Sequence, residues 1–137
     1  MKIYFAASIS GGRGDQELYR QLIDFMKELG HQVLTEHIGN PNLSKDGEHE
    51  LSATEIRDRD ISWLEESDIV VAETTQPSLG VGYELAYAEK INKPVLILHR
   101  SHERHLSAMI SGTQHFNNIN YYSDLQEAHK ILKTKLK

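Results

Sequence analysis

No cysteine occurs among the 137 residues of this chain. That excludes disulfides, thiolate metal sites and a cysteine nucleophile, and it suits a reducing cytoplasm. No apolar run approaches the roughly 20 residues of a membrane span. The opening stretch "MKIYFAASISGG" is short and lacks the polar flank and cleavage pattern expected of a signal peptide. Internal repeats, low-complexity runs and linkers are missing as well. So is a basic surplus: the net charge of −5 argues against a general polyanion binder, and no nucleic-acid partner is expected. A local phosphate site stays open, because backbone N–H groups can build one without net positive charge.

What is present reads as a globular protein. Hydrophobic residues make up 39% and charged residues 26%, and the length fits one domain (1–137) able to bury a core without staples. Apolar runs alternate with amphipathic stretches. "KIYFAAS" (Lys2–Ser8), "QVLTEH" (Gln32–His37), "DIVVAET" (Asp68–Thr74) and "PVLILHR" (Pro94–Arg100) predict strands, with a weaker fifth at "NINYYS". Between them, Leu18, Leu22, Phe25, Met26 and Leu29 recur with helical spacing and stop at Gly30. Residues 38–50 are polar and turn-rich and predict a loop. Residues 52–67 predict a helix, with Ser52 as N-cap and Glu55 closing a capping box. A helix to about Asn92, a short one near 105–111 and a terminal one from Asp124 follow.

Strands that are apolar throughout and separated by helices imply a parallel sheet covered on both faces. Right-handed crossovers then give an α/β, doubly wound, Rossmann-like or flavodoxin-like five-stranded fold. Ligands in such folds sit beyond the C-terminal strand ends. That singles out the loops after Ser8, His37, Thr74 and Arg100.

The first loop, "SISGGRGDQ", offers Ser8 and Ser10 hydroxyls, the Gly11–Gly12 backbone and the Arg13 charge. It matches neither a Walker loop nor GxGxxG, so it reads as a phosphate or ribose cradle or as a tight turn that needs glycine. Glu84 sits inside the arc of Val81, Leu85, Ala88 and Ile91, where a carboxylate loses solvation. A dipole-favoured first-turn Glu is the plainer reading. Asp60 repeats the pattern among Ile56, Trp63 and Leu64, with Arg57 and Arg59 as possible surface partners. Two carboxyls in unlike environments are what glycosidic-bond chemistry uses, one as nucleophile and one as acid or orienter. His37, at the end of the second predicted strand, is a candidate contact to leaving group or sugar. His99, His102, His105 and His115 match no standard ligand spacing, so no metal or cofactor is expected.

Together, "IYFAASISGGR", "LTEH", "RDISWLEESDIVVAE", "TQPSLGVGYELAYA", "NKPVLILHR" and "LSAMISG" closely resemble the Rcl-type 2′-deoxynucleoside 5′-phosphate N-hydrolases of the nucleoside 2-deoxyribosyltransferase superfamily. The resemblance spans most of residues 3–112 in order; the tail matches loosely. It implies hydrolysis of a deoxynucleoside monophosphate to free base and 2-deoxyribose 5-phosphate. By the same resemblance Glu84 is the nucleophile, Asp60 contacts base or sugar and helps protonate the base, and His37 is the active-site histidine. Tyr4 lines the site. Ser8, Ile9, Gly11, Ser78 and Gly80 belong to the loops that hold sugar and phosphate. Ser107 and Met109 complete the neighbouring subunit's site in a homodimer. The family reads Ser-Ile-Arg-Gly-Gly-Arg where this chain has Ser10, which removes a bidentate phosphate contact; either Arg13 compensates or phosphate is held more weakly.

Two rivals share these residues. A 2-deoxyribosyltransferase would pass the sugar to another base with the same Glu. A non-catalytic nucleotide sensor would keep the fold but not need the Glu84–Asp60 pair.

Overall fold

Five short apolar runs lie side by side as one sheet in the computed structural model, which describes residues 1–9, 15–39, 50–101 and 105–137. They are β1 (Lys2–Ala6), β2 (Gln32–Val33), β3 (Ile69–Glu73), β4 (Val95–Arg100) and β5 (Ile119–Tyr122). Every neighbouring pair runs parallel, in the order β2-β1-β3-β4-β5. That is the flavodoxin-like version of the expected doubly wound fold. The helices are α1 (Gln16–Glu28), α2 (Ala53–Glu66), α3 (Leu79–Lys90), α4 (Ala108–Ser111) and α5 (Leu125–Lys135).

Successive strand residues point to opposite faces, and both faces are covered. Ile3, Phe5, Val71, Leu96 and Leu98 pack against Tyr19, Leu22 and Met26 of α1 and Leu132 of α5. Tyr4, Ala6, Val70, Ala72 and Ile97 pack against Leu64 of α2 and Val81, Leu85 and Ala88 of α3. This double burial is why the strands read as unbroken apolar runs. Emptying one such site, as in Leu85→Ala, costs about 2–5 kcal/mol.

The ends of the helices follow their sequence signals. Ser52 Oγ accepts from Glu55 N at 3.1 Å, and Glu55 accepts from Ser52 N at 3.0 Å, so the capping box forms. Gly30 follows α1 at φ 96°, a left-handed geometry that glycine adopts without strain.

Two expectations fail. The second strand spans Gln32–Val33 and does not reach His37, which lies in a 3-10 turn over Glu36–Gly39. Thr35 is the reason. Its hydroxyl donates to Phe5 O at 2.7 Å and accepts from Phe5 N at 2.9 Å, taking both ladder positions that β2 backbone would fill. Ile91 also leaves the buried arc of α3: it caps the helix and is exposed. The expected loop at 38–50 falls largely outside the described residues.

Because β1 lies between β2 and β3, the strand order reverses there. The crevice beyond β1 and β3 is where this fold places ligands.

Candidate active site

The sequence predicts Glu84 in the first turn of its helix; it is the sixth residue of α3 and so stands in the second. The helix dipole acts mainly on the first turn and does little for it there. Its partner comes from the sheet instead: Tyr4, buried in the middle of β1, donates its hydroxyl to Glu84 Oε2. Glu84 is half-buried by exposed area, but its carboxyl lies deep among protein atoms. Burial pushes that carboxyl up to about 7, the Tyr4 hydrogen bond opposes the rise, and the Asp60 charge adds to it. Burial and the neighbouring Glu84 carboxylate likewise raise the Tyr4 phenol, which stays a donor throughout the neutral range.

Asp60 faces this pair from α2. Arg59 grips Asp60 Oδ1 at 3.0 Å through Nε and at 2.9 Å through Nη2. The same guanidinium lies 4.7 Å from the Trp63 ring centre and 3.4 Å from His37 Nε2. Thus Arg59, which the sequence suggested only as a surface partner, connects Asp60, Trp63 and His37. Arg57 does not join them. It reaches Asp58 and the Tyr83 hydroxyl, each at 3.3 Å, and with Tyr87–Glu65 at 2.8 Å it holds α2 beside α3.

The loop before α3 is built around Ser78, whose hydroxyl accepts from Val81 N at 3.2 Å as N-cap. Ser8 is buried just past β1 and donates to Pro77 O at 3.5 Å, joining the loops after β1 and β3. Ile9 follows it, partly buried. Neither Gly80 nor Gly82 has a left-handed backbone. A Cβ at Gly82 would meet nothing within 4 Å, and one at Gly80 only Ser78 Oγ at 3.7 Å. Nothing among the described residues requires glycine at either position, although each costs about 1 kcal/mol relative to alanine inside a helix. Open space beside Glu84 is what a closely approaching ligand would use.

Tyr4, Asp60 and Glu84 are therefore brought together, with His37 joined through Arg59, and Ser8, Ser78 and Gly80 flank them. Ser10, Gly11, Gly12 and Arg13 lie outside the described residues. Ser107 and Met109 sit on the exposed α4, where Ser107 Oγ accepts from Met109 N at 3.2 Å. Of the histidines raised for a metal, His99 is buried against Thr74 Oγ1 at 2.9 Å and His115 meets Lys93 O at 2.7 Å. Among the described residues no group of three or more His, Cys, Asp or Glu could hold a metal ion. None of the described helices is long and apolar enough to cross a membrane.

Sequence reasoning missed a buried polar network at the same edge of the sheet. Glu73, Thr75 and Tyr122 are all buried, and Arg100 and Asp15 adjoin them. Its signal was a charged residue closing each of two apolar strands, "IVVAE" and "VLILHR".

Two facing carboxylates, Glu84 and Asp60, thus stand beside the switch point of a doubly wound sheet, where this fold class binds its ligands. The nucleoside 2-deoxyribosyltransferase family model matches residues 3–129, and the chain belongs to that family. It is 53% identical over 114 residues to a 5-hydroxymethyl-dUMP N-hydrolase of Tetraodon nigroviridis, covering 82% of this chain and 80% of that one. It is 42% identical over 137 residues to a protein of Syntrophotalea carbinolica provisionally named 2′-deoxynucleoside 5′-phosphate N-hydrolase 1, covering 99% and 94%. Among solved structures, the CMP N-glycosidase of Clostridium botulinum shares the fold at a TM-score of 0.71 and 21% identity, over 99% of this chain and 100% of that one.

Proposed function

We propose that the protein hydrolyses the N-glycosidic bond of 2′-deoxynucleoside 5′-monophosphates, with 5-hydroxymethyl-dUMP the first substrate to test. The observation that carries this reading is Glu84, a buried carboxyl near neutrality, held by Tyr4 beside the Asp60 charge in the β1/β3 crevice. The names of the relatives support the substrate class.

In this mechanism ionised Glu84 attacks C1′ as the C1′–N bond breaks. The base leaves with a proton drawn from solvent, which the Asp60 carboxylate helps orient and deliver. A 2-deoxy sugar lacks an electron-withdrawing 2′-hydroxyl, so its oxocarbenium-like transition state forms readily, and the carboxylate stabilises that charge and then captures it. Water opens the resulting deoxyribosyl–Glu84 ester and releases 2-deoxyribose 5-phosphate. Arg59 holds Asp60 in direction, and His37 contacts the base or sugar. Ser8 through Arg13, with Ser78 and Gly80, cradle sugar and phosphate, whose distant binding energy positions C1′.

The active form is a homodimer in which Ser107 and Met109 complete the partner's site. Support comes from large apolar side chains left in water around α3 and α4: Leu79 is 97% exposed, Met109 82% and Tyr83 53%. The cysteine-free chain suits the cytoplasm, the compartment we assign.

A product assay over deoxy- and ribonucleoside monophosphates and the matching nucleosides tests the reading, with and without a second free base. Release of base and 2-deoxyribose 5-phosphate from the deoxymonophosphates is expected. Base exchange without sugar release would move the assignment to a transferase, and binding without turnover to a sensor.

A further inference from the structure

Glu73 ends β3 with its side chain fully buried. It shares the sheet face of Val71 and Tyr122, opposite the face that carries Tyr4 and Glu84, so it takes no part in the chemistry at C1′. A lone buried carboxylate is costly, and this one is answered by three hydrogen bonds. Thr75 N donates to Oε1 at 2.7 Å, Thr75 Oγ1 donates to Oε2 at 2.9 Å, and the Tyr122 hydroxyl donates to Oε2 from β5.

The contacts continue outward. Thr75 Oγ1 accepts from Arg100 N at 2.8 Å. The Arg100 guanidinium grips both Asp15 oxygens, at 3.2 and 3.1 Å, and Gln76 Nε2 donates to Asp15 at 3.2 Å. Asp15 stands at the N-cap of α1 but makes no side-chain cap bond; its carboxylate is spent on Arg100 and Gln76. Asp15, at the start of α1, and the loop over residues 74–78 are thereby fastened to each other and to the ends of β4 and β5. The loop over 74–78 carries Ser78, to which our functional reading assigns sugar or phosphate.

We propose that Glu73 is a positioning residue which, through Thr75 and Arg100, fixes the loop that carries Ser78 against Asp15 at the start of α1. Isosteric Gln cannot reproduce it. An amide offers one acceptor oxygen and turns an NH2 toward groups that are themselves donating, and the Thr75 hydroxyl already accepts from Arg100 N. A half-satisfied buried network is costly, and Thr75, which donates twice to Glu73, stands in the turn that leads into α3. This inference rests on the proposed deoxymonophosphate hydrolysis for its substrate.

The test compares wild type with Glu73→Gln and with the milder Tyr122→Phe, which keeps the carboxylate and removes one donor. Two readouts are taken. Hydrogen exchange of the free protein is expected to quicken in peptides covering Asp15 and residues 75–82, with α2 and α5 unchanged. The preference for a deoxymonophosphate over its nucleoside, measured as the ratio of kcat/KM values, is expected to fall about tenfold in Glu73→Gln and less in Tyr122→Phe. A purely structural role predicts lower thermal stability with both substrates affected alike, and that result overturns the proposal, as does unchanged local exchange. Wild type lacking any phosphate preference refutes the substrate reading instead. The exchange result then decides the clamp by itself, since it needs no substrate.

Discussion

The Tyr4 hydroxyl donates to Glu84 across 80 residues of sequence, from the middle of β1 to the second turn of α3. Tyr4 supplies a proton that it keeps at neutral pH, and Glu84 receives a hydrogen bond that lowers its otherwise raised pKa. The predictions concern that pair and its neighbours.

Removing the carboxylate should abolish the chemical step. Glu84→Ala is expected to lower kcat by three or more orders of magnitude while the protein stays folded, because a transition-state interaction is lost. Rapid quench with a slow substrate, followed by peptide mass analysis, should find a deoxyribosyl phosphate adduct on the peptide bearing Glu84. Substantial residual turnover in the variant would place the nucleophile elsewhere.

The pH profile follows from the same group. The attacking form is the carboxylate, so kcat/KM should rise with pH and level off above about 7. Tyr4→Phe deletes a hydrogen bond that favours the ionised form, so the acid limb should move to higher pH. Asp60→Asn deletes a negative charge that raises Glu84, so the limb should move to lower pH while the plateau rate falls. A limb that stays put in both variants would exclude Glu84 as its origin.

Stability should run the other way. The Glu84 pKa is raised from 4.5 to about 7 on folding, so the native state holds this proton more tightly than the unfolded chain. Its contribution is fully present below 4.5 and is lost as pH climbs through 7, a change on the order of 2–3 kcal/mol. Glu84→Gln carries no such loss. Urea unfolding at pH 5 and pH 8 should show the variant gaining on wild type at the higher pH, and equal gaps at both pH values would contradict the burial argument.

Mixing experiments test the shared site. Glu84→Ala and Ser107→Glu homodimers are each expected to be inactive or nearly so. In a mixed dimer, one site carries both defects and the other carries neither. Random exchange of subunits should restore about a quarter of wild-type activity. No recovery after confirmed exchange would mean that each subunit's Ser107 serves its own site or none.

Thr35 offers a test of the fold alone. Thr35→Val removes both hydrogen bonds to Phe5 and leaves two buried backbone groups without partners. A loss of about 2–4 kcal/mol is expected in denaturant unfolding.

Much of this protein is legible in its sequence. Both-face burial makes the strands read as continuous apolar runs, so the α/β class and parallel sheet follow from Val70, Val71, Leu96 and Leu98 and their like. The capping box at Ser52 and the stop at Gly30 are local chemistry, complete within four residues or one dihedral angle. Glu84 and Asp60 stood out because each breaks an apolar arc.

Tertiary structure decided the rest, because it depends on groups far apart in the chain. β2 ends early because a side chain from Thr35 replaces its backbone, which no periodicity encodes. Arg59 and Arg57 look alike in "RDRD"; only the seat on Trp63 and the reach to His37 separate them. The Glu73 network joins β3, β4, β5 and α1, and in sequence it is only a few polar residues at strand ends. The state of Glu84 is the clearest case. Its place on the helix is local, but its proton affinity comes from burial and from two neighbours, Tyr4 and Asp60, assembled only when β1, α2 and α3 meet.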